Sequence, residues 1–215
     1  METLDLSKSI HGFLGILCLL TGIIAVIVSK KTGAHTRNGK VFYSSLILLY
    51  VAILPHIIVK TNVFMLAIGW IAIAAATEGW RALLRFKCTL HTAPTIIDYA
   101  INLITVSMGI MLIGFGVWIV YKSQALMGCA LLFFGWLGIS LSYAAYKRWN
   151  MSMEPKRWLV IHIQLMTGSL SAAITAFVVL QFSGKVGSFE WLLWIAPTLF
   201  MIQVGKREIH KRNLT

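Results

Sequence analysis

Long apolar stretches alternate with short polar ones along this chain, at the period of membrane crossings. Seven apolar runs occupy about residues 10–28, 41–59, 63–84, 96–120, 125–146, 158–182 and 189–204. Roughly twenty apolar residues in a helix cross the hydrocarbon core of a bilayer. The breaks between runs carry charges and turn formers: Gly33 and Asn38-Gly39 in the first, Lys60 and Asn62 in the second, Pro94 in the third, Gly184 and Gly187 in the last. The pattern predicts an all-α integral membrane protein, a bundle of about seven transmembrane helices forming a single membrane domain over residues 1–215. Glu2 and Asp5 precede the first run and Lys30-Lys31 follow it, so 10–28 reads as a retained membrane helix and not a cleaved signal.

Composition agrees with this class. The chain is 58% hydrophobic and only 12% charged, with mean hydropathy +0.80, against about twice that charge in a soluble domain. The net charge of +12 would suggest a nucleic-acid partner if the cations were clustered on one soluble face. They sort by membrane side instead. With seven crossings, one side collects Lys30, Lys31, Arg37 and Lys40, then Arg81, Arg85 and Lys87, then Lys147, Arg148, Lys156 and Arg157, then Lys206, Arg207, Lys211 and Arg212. The other side holds Lys8, Lys60, Lys122 and Lys185. The positive-inside rule makes the first side cytoplasmic, which puts the amino terminus outside and the carboxy terminus in the cytoplasm. The expected location is a cell (inner) membrane, crossed several times, with the lipid bilayer as the principal partner and no nucleic acid.

Small residues at four-residue spacing predict close helix contacts. They occur as Gly168, Ala172 and Ala176 in the sixth run and as Ala72 with Ala76 and Ala75 with Gly79 in the third; Gly135, Gly138 and Ser142, three and four residues apart, suggest another close contact along the fifth. The sixth stripe is expected to pack on the third. Trp80, Trp149 and Trp158 are expected at the cytoplasmic interface, and Trp118, Trp191 and Trp194 near the outer one.

Ionisable groups inside a membrane are costly and therefore mark candidate sites. His162 lies within the sixth run. Glu78 and Arg81 are three residues apart and so share a helix face, which predicts a pair; Asp98 suits the first turn of the fourth helix. These four residues, His162, Glu78, Asp98 and Arg81, form the candidate ligand-binding set near the cytoplasmic face, for a small ligand that is bound or transported. His11 and His56 fall near the outer face, and folding the first hairpin about its loop places position 11 opposite roughly 58. That depth makes them the candidate pair for a haem b iron or another metal. A non-enzymatic sensor or scaffold with structural histidines is the third class. His35, His91 and His210 read as loop or tail residues. Cys18 and Cys129 are in apolar runs and Cys88 is in a loop, without CxxC or metal-ligand spacing. No HExxH, GxSxG or GxxxxGK[ST] pattern occurs, and the seventh run holds no lysine before Lys206 that could carry a retinal Schiff base.

Three stretches resemble a large bacterial family of multi-pass membrane proteins known mainly as a domain of unknown function. The first is His162-Ile-Gln-Leu-Met166-Thr-Gly168-Ser169-Leu170-Ser-Ala172-Ala173-Ile-Thr175-Ala176-Phe177, similar to a family pattern His-x-x-x-Met-x-Gly-Ser-Tyr-Ile-Ala-Ala-x-Thr-Ala-Phe. The others are His11-Gly12 and the loop Ala34-His35-Thr36-Arg37-Asn38-Gly39-Lys40, with support from Gly79-Trp80-Arg81 and Trp194-Ile-Ala-Pro197-Thr198. Leu170 stands where the family has Tyr, and Thr36 and Lys40 stand where it has Arg. The resemblance implies a bacterial multi-pass membrane protein and no particular reaction.

Overall fold

The computed structural model describes residues 2–30, 33–60, 62–87, 93–122, 124–151 and 153–214; for residues 2–4 and 126 it describes the backbone alone. Lys31, Cys88 and His91 lie outside the described residues. Among the described residues seven α-helices follow one another: α1 (Glu2–Ile27), α2 (Gly33–Lys60), α3 (Val63–Phe86), α4 (Ile96–Tyr121), α5 (Ala125–Trp149), α6 (Pro155–Phe182) and α7 (Glu190–His210). A 3-10 turn at Gly187–Phe189 precedes α7, after Gly184 and Gly187 take left-handed φ values of 76° and 54°. All seven are long and apolar enough to cross a membrane. At 1.5 Å per residue they run about 30–42 Å, which exceeds the hydrocarbon thickness. Phe13, Ile96, Leu103 and Leu180 are among many large apolar side chains on the surface, an exposure that lipid accommodates and water does not.

Several helices extend past the apolar runs. α1 begins at Glu2, α6 at Pro155, and α7 continues to His210 with Pro197 inside it. α2 starts at Gly33, so the expected loop at 33–40 is helical despite Asn38-Gly39. Two contacts hold it there: Asn38 Nδ2 donates to the Ala34 carbonyl at 2.9 Å, and His35 Nδ1 meets the Ala25 carbonyl at 2.8 Å. A mid-helix glycine costs only about 1 kcal/mol, which such contacts can offset. His35 is thus a half-buried helix residue tied to the end of α1, not a solvated loop residue.

Backbone contacts divide the chain into two compact units, Met1–Gly69 and Trp70–Thr215. The first is the α1–α2 hairpin with the opening turns of α3. Polar side chains of each helix reach the other's backbone: Ser7 Oγ donates to the Ala52 carbonyl, His11 Nδ1 lies 2.9 Å from the Leu49 carbonyl, and Cys18 Sγ is 3.8 Å from the Phe42 carbonyl. Tyr50 donates its hydroxyl to the Leu66 carbonyl at 2.7 Å, and a Cβ at Gly69 would stand 2.5 Å from the Tyr50 ring.

In the second unit α4 and α5 pack backbone to backbone. A Cβ added to Gly109 would lie 2.8 Å from the Gly135 carbonyl oxygen, and one added to Gly135 would lie 2.7 Å from that of Gly109. Gly138 approaches Gly109 and Ile71, and Ser142 exchanges hydrogen bonds with Asn102. The close contact expected along the fifth helix is therefore present. Residues 70–86 of α3 meet α6 through a core of Ala75, Ala82, Trp158, Ile161 and Leu165. Trp158, expected at the interface, is 2% exposed and lies under the Arg85 guanidinium at 5.1 Å.

The expected stripe on α6 is one position out of register. Gly168 is exposed, with none of the described residues within 4 Å of an added Cβ, and Ala176 is exposed too. The contact with α3 is made by the neighbouring stripe of His162, Leu165, Met166 and Ser169, whose hydroxyl donates to the Ala72 carbonyl at 2.9 Å. The small residue at the crossing is on the other helix: a Cβ added to Gly79 would stand 3.2 Å from Leu165 Cβ and from Met166. One glycine suffices for such an approach when the facing side chains interlock.

Candidate functional site

Three of the four candidate ligand-binding residues come together, but each is already engaged. Glu78, Arg81 and Arg85 recur at helical spacing on one face of α3. Asp98 lies in the first turn of α4, where its carboxylate accepts the Thr95 backbone N–H at 2.7 Å and completes a capping box. Arg81 grips that carboxylate with two donors, Nε on Oδ1 and Nη2 on Oδ2 at 2.7 Å, and also donates to the Thr95 hydroxyl at 2.7 Å. Arg85 adds a third donor at 3.0 Å from Oδ2.

Glu78 is not paired with Arg81, as the i, i+3 spacing suggested. Its carboxylate accepts from Arg148 of α5 at 2.6 Å. Asp98 draws Arg81 away because it presents both oxygens to the guanidinium plane, the strongest geometry for such a pair. Arg85 and Arg148, counted among interfacial cations, are thereby inner members of the network. Three guanidiniums face two carboxylates, and Arg85 and Asp98 are only 3% and 4% exposed. A cavity of about 30 Å³ beside Glu78, Arg81 and Asp98 has room for about one or two waters. The cluster acts as a clamp on α3, α4 and α5.

His162 occupies another face of α3. It is 8% exposed, and its Nδ1 is 2.8 Å from the Gly79 carbonyl oxygen. A carbonyl only accepts, so Nδ1 carries the proton in this bond. The bond joins α6 to α3 at their closest approach.

The outer histidine pair depends on a register that the hairpin does not adopt. His11 meets Leu49, and the ladder of contacts through Cys18–Phe42 and His35–Ala25 keeps that alignment. His56 is seven residues further along α2, about 10 Å by helical rise. Position 11 therefore does not stand opposite 58, and the premise for a shared haem or metal ion fails. Among the described residues the buried Nδ1 of His56 has no hydrogen-bond partner, whereas that of His11 is occupied. Among the described residues no three His, Cys, Asp or Glu side chains gather as a metal-ligand set.

A larger cavity was not anticipated. α3, α5, α6 and α7 line a partly open cavity of about 440 Å³, within the range of small-molecule sites. Phe134 and Leu137 line one wall, and Gly168 and Ala172, the stripe expected to meet a helix, line the other. Gln164 and Lys206, both exposed, are at one end, and the buried hydroxyl of Thr175 is deeper along α6. The signal in the sequence was the run of hydroxyls beside that stripe, Thr167, Ser169, Ser171 and Thr175. Some are satisfied by protein: Ser171 donates to Thr198 at 3.2 Å and Thr167 to the Ile163 carbonyl at 2.7 Å.

Fold and site together define a multi-pass helical membrane protein with an intramembrane cavity. Comparison of the chain with known protein families, with curated proteins and with solved structures returned no match.

Proposed function

We propose that this is a non-enzymatic binding or transport protein of a bacterial cell membrane that takes a small ligand from the bilayer into the α3–α5–α6–α7 cavity. In this reading the amino terminus is outside, and the ligand lies toward the cytoplasmic half. The observation that carries it is the cavity, about 440 Å³ of mostly apolar space with a few hydroxyls and one cation on its walls. That balance suits a lipid-soluble molecule with limited polarity. Glu78 ties α3 to α5, two of the cavity walls, Arg81 and Asp98 tie α3 to α4, and His162 fixes α6 against α3.

The test is the small-molecule content of the protein extracted with its surrounding lipid in polymer particles. Mass spectrometry of wild type should find one amphiphile enriched near equimolar ratio over bulk lipid. Gly168→Phe, which places a ring in open space within the cavity, should lose it while unfolding at the same temperature. Identical content in the two proteins would refute the cavity as the binding site.

A further inference from the structure

The cavity of α3, α5, α6 and α7 carries hydroxyl residues yet presents hydrocarbon to its interior. Thr167 donates its hydroxyl to the Ile163 carbonyl at 2.7 Å, Ser169 to the Ala72 carbonyl at 2.9 Å, and Ser171 to Thr198 at 3.2 Å. Thr175 Oγ1 is buried in the packing and does not face the cavity. Hydroxyls spent on protein or turned away offer nothing to a ligand. A polar atom brought beside them would give up its own partners and gain none. Phe134, Leu137, Ala172 and Met201 complete an apolar wall.

Polar side chains are confined to one end, where Gln164 and Lys206 line the cavity, both exposed. α6 and α7 lie antiparallel: a Cβ added to Gly205 would stand 3.1 Å from Thr167 Oγ1, and Ser171 meets Thr198 further along. The start of α6 and the end of α7 therefore share this end of the cavity. Lys156, Arg157, Lys206 and Arg207 are exposed there and in no ion pair among the described residues. The acids alongside are Glu154 and Glu208, and Glu208 already meets Lys211 at 3.6 Å and Arg212 at 3.9 Å. Arg157 precedes Gln164 by seven residues, so it continues the cavity stripe of α6 about 10 Å further on.

Resting on the reading of this cavity as the binding site, we infer that its ligand is an anionic phospholipid of the surrounding bilayer, which inserts one plain acyl chain and leaves its phosphate outside, among Lys206, Arg157 and their neighbours. The cavity is partly open, so a chain can enter while the rest of the molecule stays in the bilayer. Leaving lipid for an apolar wall costs a hydrocarbon chain no hydrogen bond, whereas a polar substituent on it would be stranded. The headgroup is selected by charge, because cations at the membrane surface attract anionic lipid.

The experiment uses the full chain in nanodiscs of equimolar phosphatidylglycerol and phosphatidylcholine with identical chains. Lipid retained on transfer to detergent is counted by native mass spectrometry. Wild type should retain phosphatidylglycerol about tenfold over phosphatidylcholine. Phosphatidylglycerol hydroxylated in mid-chain should be retained about tenfold less than its plain counterpart. Lys206→Gln combined with Arg157→Gln should equalise the two headgroups and keep the preference for the plain chain. Gly168→Phe should lose the lipid while melting as wild type does. Equal retention of plain and hydroxylated chains, equal retention of the two headgroups by wild type, or a double variant that still prefers phosphatidylglycerol overturns the inference; if Gly168→Phe still releases the lipid, the cavity remains the site. Wild type that retains no phospholipid also overturns the inference, and the extracted small-molecule content of wild type against Gly168→Phe then decides for or against the cavity. Retention unchanged by Gly168→Phe overturns both.

Discussion

His162 Nδ1 lies 2.8 Å from the carbonyl oxygen of Gly79, and a Cβ on the same glycine would stand 3.2 Å from Leu165 and Met166. Hydrogen bond and close packing thus coincide at one point of the α3–α6 crossing. Gly79→Leu should destabilise the protein by about 1–3 kcal/mol through overpacking. His162→Ala should cost less, roughly 0.6–2 kcal/mol, the range for a polar contact between membrane helices. Thermal unfolding in detergent, followed by intrinsic fluorescence, gives both numbers. A larger loss from His162→Ala than from Gly79→Leu would mean that packing is not what Gly79 provides.

Two glycines at opposite extremes of crowding give a second comparison. Gly135 would place a Cβ 2.7 Å from the Gly109 carbonyl oxygen, whereas Gly168 would place one in open space. Even Gly135→Ala should therefore lower the unfolding temperature strongly, because rigid backbone has to move. Gly168→Leu should leave that temperature nearly unchanged. Expression and melting of the two variants decide the matter, and a severe effect at Gly168 would restore a helix contact there.

Asp98 accepts from both Arg81 and Arg85 while almost fully removed from solvent. Asp98→Ala leaves two guanidiniums facing an apolar site, and removing one partner from a buried ion pair costs about 3–5 kcal/mol. Glu78→Gln should cost less, since Glu78 and Arg148 are each 16% exposed and the amide still accepts a hydrogen bond. Denaturant titration of the two variants should rank them in that order. The reverse order would show that the Glu78–Arg148 pair is the stronger clamp.

The proposed orientation gives a prediction at Cys88, in the segment after α3. Fifteen of the nineteen lysines and arginines fall on the side assigned to the cytoplasm. In a Cys129→Ala background, a membrane-impermeant thiol reagent should leave Cys88 unmodified in intact cells and label it after permeabilisation. Cys18, being buried, should stay silent in both conditions. Labelling in intact cells would invert the topology.

The sequence alone determined how many times the chain can cross a membrane. Hydropathy adds residue by residue along a segment and needs no partner, so all seven spans were legible, Phe189 to Val204 included despite Pro197. The α4–α5 contact was foreshadowed on one helix by Gly135, Gly138 and Ser142, since absent side chains define a contact surface by themselves. Local periodicity likewise put Glu78 and Arg81 on one face and Asp98 in a first turn.

Only the tertiary structure decided which partner each of these residues meets. A helix in lipid is apolar on every side, so no hydrophobic face fixes its rotation about its own axis. Gly168 and Ser169 compete for the same neighbour, and interlocking side chains gave α3 to Ser169 and the cavity to Gly168. Glu78 reached Arg148, seventy residues away, because the nearer Arg81 fits both oxygens of Asp98. Register in the first hairpin followed the same logic. Loop length alone placed His11 beside position 58, whereas the extension of α2 back to Gly33 moved the turn and set His11 on Leu49. The cavity arises where four helices fail to fill the space between them, a property of their joint packing that no single span contains.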